Sequence, residues 1–462
     1  DYSAVQDEIV FNDVTPYALR QTNNAINAAK QLKATHVLHG TVGRAGANLV
    51  LTVRLNETST GKTIWSKELS ASCVDFVAVR DSIFDGVLSA LGVHTGGMVK
   101  MFETKPTENA KALEFYWKGL SHLLGLRDEE VNLALQNFDQ ALKRDDKFAL
   151  ALAEKAGVLL NIYKRDLKSD PRWLEQAKEL SEQALKIDNR IASAHRTLGQ
   201  AYHYERNHVR ALEEIQTALA RTPNDASTCR ALALVYATKG DQENASKASE
   251  RALKLDPLNY ESYHVLGTVK HLVGKYEEAS AAYEQAVGLE PSIGEKIIGL
   301  LGNALLSQGA HQRALSLYES SRNLHPNDYV LQYKIGRAMQ ASGQIQAAQP
   351  YITRVLELAQ QELRRNSRSA RAHLYIALAQ TRMGRYTDAR VAAKRAFAIA
   401  PNDPQVLYGM AGLFSMQKET ADALEWLKKA VTVRYSLYDV LDLDLFNIRP
   451  DPRFAEILHA SL

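Results

Sequence analysis

Apolar and small residues recur along this chain with a period of 34. Gly199, Tyr202, Ala211, Ala218 and Pro223 are echoed by Ala233, Tyr236, Ala245, Ala252 and Pro257, and a second step gives Gly267, Ala279, Ala286 and Pro291. Self-similarity at that period predicts stacked helix–turn–helix units. Small residues mark where helices approach closely, and large apolar ones such as Leu198, Tyr202 and Leu212 fill the gaps between them. Each proline falls just past a second helix, which it cannot continue. Extended outward, the pattern predicts about nine units between Lys111 and the 430s. The first has a slightly long turn at Arg127–Glu130 and the second an insertion near Arg165–Trp173. The sixth uses Gly302, Ala314 and Pro326, the seventh has a second helix running through Arg364, and the ninth uses Ala411, Ala423 and Ala430.

The first hundred residues follow another pattern. Helical spacing over Asn24–Leu32 precedes three runs that alternate apolar and polar residues, His36–Val42, Asn48–Leu55 and Lys62–Leu69. Between them lie Gly43–Ala47 and Asn56–Gly61, rich in turn-forming residues. Val74–Leu91 returns to helical spacing, with Phe76, Val79, Ile83, Val87 and Leu91 on one face. A small α/β module with an antiparallel meander is expected.

The 34-residue pattern closely resembles the tetratricopeptide family. That resemblance implies a right-handed α-solenoid, continuous over residues 109–462, which binds protein or peptide ligands on its concave face. The phrase Thr35–Arg44 (THVLHGTVGR), the run LTVRLNETSTGKTIWSKEL and the helix near VDFVAVRDSI resemble the TolB-like amino-terminal module of bacterial signalling proteins over residues 24–93. That family opens with an apolar strand and a helix that have no counterpart here, unless Glu8–Phe11 is a later strand of the same sheet, so either a trimmed start or an incomplete sheet is expected. The tail motif Arg449–Phe454 (RPDPRF), after Asp442–Leu445 (DLDL), is similar to the ending of signalling proteins that couple these modules. The resulting division is 1–100 for the TolB-like module, 101–108 for a linker, 109–435 for the repeats and 436–462 for a C-terminal cap.

Composition adds little beyond a soluble, folded class: 45% apolar, 24% charged and a net charge of +3. Two cysteines, Cys73 and Cys229, exclude a disulfide framework and a cysteine zinc site. No apolar run reaches the roughly 18 residues of a spanning helix. The missing initiator Met and signal peptide suggest a piece of a longer protein. In the signalling proteins it resembles, a membrane span often separates the halves, which would put this half outside the cytoplasm.

No catalytic constellation emerges. Gly61-Lys62-Thr63 imitates the end of a phosphate-binding loop, but Asn56 stands where the first glycine is needed and a strand follows, so a hairpin turn is expected. Gly40, Gly43 and Gly46 are misspaced for a dinucleotide fingerprint. His195, His203 and His208, and the pair His264 and His271, lack metal-site spacing. The reading is therefore a non-catalytic scaffold or sensor without cofactor, metal or nucleic-acid ligand. A small-molecule pocket at the junction of module and array, and the regulatory part of a Ser/Thr kinase, remain alternatives.

Family geometry carried onto this chain gives a groove lined by Arg196, Gln200, His203, Arg230, His264, Thr268, His271, Lys296, Asn303, Tyr333 and Arg337, with Ser193, Ser227 and Glu261 beside them. Its mildly cationic character suggests an acidic, extended partner. The family's two-carboxylate clamp is not reproduced, since Gly299 stands one turn before Asn303 in place of lysine. The basic run Arg364, Arg365, Arg368, Arg371, Arg382, Arg385 and Arg390 reads as a solvated helix face, with an acidic partner surface as the sharper alternative.

Overall fold

The structure, a computed structural model, describes residues 25–31, 34–45, 48–72, 76–92, 107–123, 128–165, 171–291, 295–432 and 443–460. The expected strand at Glu8–Phe11, Cys73, the first residues of the linker and the insertion after Arg165 lie outside them.

Helix α1 (Ala25–Gln31) leads into strands β1 (His36–Ala45), β2 (Asn48–Glu57) and β3 (Thr63–Ser72), followed by α2 (Phe76–Ala90). The strands form one antiparallel sheet in the order β1-β2-β3, with Leu38 opposite Leu55 and Leu55 opposite Trp65. Alternation buries Val37, Val53 and Leu55, while α2 contributes Val79, Val87 and Leu88 to the module's interior. Close approach of α2 depends on Gly86, where an added Cβ would lie 2.4 Å from the Trp65 ring. Both hairpins are tighter than the sequence suggested: β1 continues to Ala45, and β2 to Glu57 through an irregularity between Leu55 and Asn56.

Asn56 settles the nature of the glycine–lysine–threonine segment. Its amide donates to the Gly61 carbonyl at 2.8 Å and to Thr63 Oγ1 at 3.2 Å, while its Oδ1 meets His39 Nε2 at 2.9 Å. Gly61 takes a φ of +71°, a left-handed conformation that suits glycine, and β3 starts two residues later. It is a hairpin turn.

Nine helix pairs follow among the described residues. They are α3 (Ala110–Leu123) with α4 (Asp128–Arg144), α5 (Ala149–Arg165) with α6 (Arg172–Ile187), and α7 (Ala192–Tyr204) with α8 (His208–Arg221). Next come α9 (Ala226–Thr238) with α10 (Gln242–Leu255), α11 (Tyr260–Leu272) with α12 (Tyr276–Leu289), and α13 (Glu295–Ser307) with α14 (His311–Leu324). The last three are α15 (Tyr329–Ala341) with α16 (Ile345–Arg365), α17 (Ala370–Arg382) with α18 (Tyr386–Ile399), and α19 (Pro404–Met416) with α20 (Thr420–Thr432). A 3-10 helix (Leu443–Ile448) and α21 (Pro452–Ala460) complete the described chain. The class is mainly α, of the repeat-solenoid type, with a small α/β module in front.

Two boundaries move. The turn expected at Arg127–Glu130 is helical from Asp128, with Glu129 and Glu130 in the first turn, where acidic side chains complement the helix dipole. Thr107, placed in the linker, is buried and donates to Asp145 Oδ2 at 2.5 Å, and Asn109 caps α3 by accepting from Ala112 N at 3.0 Å.

The period is a packing period. Ala211, Ala218, Ala245, Ala252, Ala279, Ala286, Ala314, Ala348, Ala411, Ala423 and Ala430 all have 0% exposure. The glycines of the first helices face large side chains of the second: a Cβ on Gly199 would meet Ile215, on Gly267 Tyr283, on Gly302 Tyr318 and on Gly336 Ile352. Within most pairs a glycine ends the first helix with positive φ, among them Gly240, Gly274, Gly309, Gly343 and Gly384. Arg206 and Lys418 occupy the same place with φ of 63°.

By contact density the chain divides into two compact units. One comprises Asp1–Tyr202, Val209–Thr228 and Leu255–Leu258; the other comprises His203–His208, Cys229–Lys254 and Asn259–Leu462. The second unit closes on the 3-10 helix and α21, whose Leu445, Ile448 and Phe454 pack on Leu407, Tyr408, Leu424, Leu427 and Val431. These side chains cover apolar surface that the last helix pair would otherwise expose.

Candidate ligand groove of the repeats

Each candidate groove residue sits on the first helix of a pair, counted from the small residue that contacts the second helix. Arg196, Arg230, His264 and Tyr333 lie three positions before it; Gln200, Thr268, Asn303 and Arg337 one after; His203 and His271 four after. These offsets place them on one stripe of each helix.

In the first unit, Arg196 donates to Asp225 Oδ2 at 2.7 Å. Asp225 also accepts from the amides of Ser227 and Thr228, capping α9. Burial alone would raise the Asp225 carboxyl, but the Arg196 charge and the Thr228 hydroxyl hold it below the usual carboxylate range. Gln200 is half-buried beside this pair on the same helix.

The second unit repeats the device one step on. Arg230, buried, donates to Ser262 Oγ at 3.1 Å and pairs with Glu261 at 3.3 Å. Arginines three places before the small residue therefore tie one repeat to the start of the next. His203 lies half-buried with Nδ1 3.5 Å from Thr238 Oγ1, its ring 5.8 Å from that of His208. His264 tilts over Tyr283 with ring centroids 6.2 Å apart, and Thr268 accepts the Tyr283 phenol at 3.3 Å. His271 is 1% exposed, edge-on to Tyr276 at 5.4 Å, and neither ring nitrogen has a hydrogen-bond partner among the described residues. Burial, assisted by the Arg449 charge, pushes its pKa down to about 4. Lys296 has its backbone in α13, and its side chain lies outside those described.

The last four repeats hold the densest polar cluster. Arg337, 2% exposed, donates to Asn303 Oδ1 at 2.7 Å. Tyr333 donates its phenol to Asp444 Oδ2 at 2.7 Å and accepts from Arg382 Nε at 2.9 Å. Arg382 also donates to Gln340 Oε1 at 2.8 Å, forms a short ion pair with Asp444 Oδ1, and sets its guanidinium 5.0 Å from the Tyr333 ring centroid. Asp444 belongs to the 3-10 helix. Its Cβ would lie 3.1 Å from a Cβ on Gly412, so α19 admits the segment by having no side chain there. Asn447 adds a bond to the Ser415 carbonyl at 2.9 Å. Burial would raise the Asp444 carboxyl, yet the charges of Arg382 and Arg337 and the Tyr333 hydroxyl keep it ionised below the usual range. Burial holds the Tyr333 phenol protonated, as a donor.

Arg382 corrects the sequence reading, in which it belonged to a solvated basic face. Its side chain is 12% exposed, because Tyr333, Gln340 and Asp444 close around its guanidinium at the end of α17. Of the other arginines in that run, Arg364, Arg365 and Arg368 are exposed, Arg385 pairs with Asp388, and Arg390 pairs with Glu419. Sequence reasoning also missed Gly412 and Ser415, although they share the phase of Arg337 and Gln340. Asp444 was missed because nothing local marks a carboxylate bonded to a tyrosine 111 residues earlier. Among the described residues no three His, Cys, Asp or Glu side chains converge as a metal site requires, and no helix is long and apolar enough to cross a membrane.

Comparison with known proteins bears on the repeats. Two sequence profiles, both described as tetratricopeptide repeat, match residues 226–257 and 260–293, and residues 305–374 and 380–432. A curated relative, the "Putative adenylate cyclase 3" of Rhizobium meliloti (strain 1021), is 23% identical over 221 residues, or 47% of this chain. The match spans only 37% of that protein's length. Among solved structures, a thermophilic tetratricopeptide-repeat protein of Thermus thermophilus is 22% identical, covering 42% of this chain and 99% of its own, with a TM-score of 0.36. YrrB, titled a tetratricopeptide-repeat protein with an unusual peptide-binding site, is 18% identical over 46% of this chain and 100% of its own, with a TM-score of 0.31. Repeats of this kind are typically non-catalytic scaffolds for proteins and peptides. The matched segments, residues 226–257, 260–293, 305–374 and 380–432, are similar to tetratricopeptide repeats and make up less than half of the chain.

Proposed function

We propose that this chain is the protein- or peptide-binding region of a signalling protein, and that it takes an acidic, largely extended segment along the inner stripe of its first helices. One observation carries the reading. A carboxylate is already held on that stripe, between Arg382 and Tyr333 and within the field of Arg337. Arginine suits this task because its planar fork of donors matches a carboxylate. The α/β module, with helix, three-stranded meander and helix in the order of the TolB-like family, supports a signalling context, as does the relative named as a cyclase. In this reading the module spans residues 1–100, the repeats 109–435 and the cap 436–462, with the output domain on another part of the parent protein.

The test is selection of peptides from a displayed random library on the full chain. Enrichment of Asp or Glu beside apolar residues is expected. Binding should be weakened at least tenfold by charge reversal of Arg196 and Arg230 together, and left unchanged by reversal of Arg364 and Arg365 on the exposed end of α16. Circular dichroism checks the fold of both variants, since reversal sets Arg196 and Arg230 against their partners Asp225 and Glu261. Loss of binding in the Arg364 and Arg365 variant alone would move recognition to the outer basic face and defeat the assignment.

A further inference from the structure

The cap does two separable jobs. Its apolar side chains, Leu445 and Ile448 at 0% exposure and Phe454 at 8%, cover the end of the repeat core. That alone would close the array. Asp444 contributes nothing to apolar closure and is costly to bury, since ionised groups lose hydration that a pair rarely recovers in full. It is nonetheless 6% exposed, and every group around it suits an anion: Arg382 in direct contact, Tyr333 as a neutral donor, Arg337 within electrostatic reach, and Gly412 leaving room for its backbone. Tyr333 and Arg337 come from α15, Arg382 from α17 and Gly412 from α19, three successive first helices, and the 3-10 turn also touches α13. The segment therefore lies across the inner stripe where an extended ligand would lie. Phe446 beside it is 65% exposed, so the turn is held on one side only.

We propose that residues 443–450 of this chain (LDLFNIRP) are a cis ligand of the groove, and that the carboxylate site of Tyr333, Arg337 and Arg382 accepts an aspartate-bearing partner peptide only when Asp444 leaves it. The proposal rests on the inner-stripe reading above and adds its regulation. The tether gives the cis segment an effective concentration in the millimolar range. A partner of equal intrinsic affinity is thus held off at micromolar concentration, and an acidic partner with a second contact elsewhere displaces the turn. Displacement also withdraws Leu445 and Ile448, which sit on the same turn, so the partner must offset their exposure; α21 keeps its own anchor through Phe454 on the last helix pair.

The probe is the synthetic peptide LDLFNIRP carrying a fluorophore, titrated by anisotropy into the full chain. Asp444→Asn preserves the size of the side chain and removes its charge. The variant should bind the probe at least tenfold tighter than the wild type, and a probe with Asn in place of its Asp should lose that gain. Adding Arg382→Gln to Asp444→Asn should abolish it. Equal affinity of wild type and Asp444→Asn would overturn the proposal. Wild-type protein supplies an independent arm that needs no variant. At millimolar probe, hydrogen exchange at amides 443–448 should accelerate while α19 and α20 stay protected; unchanged exchange there, or no binding at that concentration, overturns it. Should library-selected acidic peptides bind wild type and Asp444→Asn equally, the groove stands as a peptide site and only the cis competition fails. Should they bind but ignore reversal of Arg196 and Arg230, the groove reading itself falls.

Discussion

Two glycines in the fifth helix pair should respond to the same substitution with opposite sign. Gly288, the penultimate residue of α12, has nothing within 4 Å of where a Cβ would lie. Gly288→Ala therefore gains helix propensity with no steric cost, stabilising by roughly 0.5–1 kcal/mol. Gly267 lies mid-way along α11, and a Cβ there would stand 2.7 Å from two carbons of the Tyr283 ring. That ring has 0% exposure, is bonded through its phenol to Thr268 at 3.3 Å, and is flanked by His264 and His271. It has nowhere to go. Overpacking of this kind costs about 1–3 kcal/mol, which offsets the propensity gain of about 1 kcal/mol and leaves Gly267→Ala destabilising by up to about 2 kcal/mol. Gly267→Leu, bulkier still, should be worse. Urea midpoints followed by circular dichroism give the sign, and hydrogen exchange at the α11 amides shows where the loss falls. If Gly267→Ala were as stabilising as Gly288→Ala, the glycine would not be the contact point of this pair, and the repeat register built on it would be wrong.

Two further changes probe other features. His271 has a folded pKa of about 4 against an ordinary 6.5, so above pH 6.5 it is neutral in both states and costs nothing. As pH falls from 6.5 toward 4 the unfolded chain takes up a proton that the fold resists, and stability drops by roughly 3 kcal/mol in total; His271→Leu should flatten that part of a urea-midpoint series between pH 7.5 and 4.5, and an unaltered slope would place the acid sensitivity elsewhere. Lys418 holds a φ of 63° at an exposed turn where the other pairs use glycine, so Lys418→Gly should raise the melting midpoint slightly, by relief of about 1–2 kcal/mol of strain less the roughly 0.5–1 kcal/mol that glycine adds to unfolded-chain freedom; a lower midpoint would mean that the Lys418 side chain stabilises the turn.

The repeats were legible in the sequence because their determinants are local and periodic. Gly199, Gly267, Gly302 and Gly336 mark a contact made once per unit, and each lies against a side chain 16 residues later. The meander was legible for a similar reason, since strict alternation and turn residues fix strands of about the right length. The groove was legible only as a stripe. Periodicity places these residues on one face of each first helix, but does not tell that Arg196 and Arg230 are engaged by Asp225 and Glu261 of the following repeats. Nor does periodicity reveal that Tyr333 and Arg382 receive Asp444, at separations of 111 and 62 residues. Arg382 looked like one of seven surface arginines because charge along a helix says nothing about what folds back over its end.

The central claim is that ligands bind on the first helices of the repeats. A library-selected acidic peptide carrying a photoreactive benzophenone beside its carboxylate, crosslinked to the full chain and mapped by mass spectrometry, tests it directly. The account predicts adducts on α11, α13, α15, α17 and α19, on the stripe that holds His264, Asn303, Tyr333 and Gly412. Adducts on the second helices, on the exposed arginines ending α16, or on the sheet of residues 36–72 would contradict it.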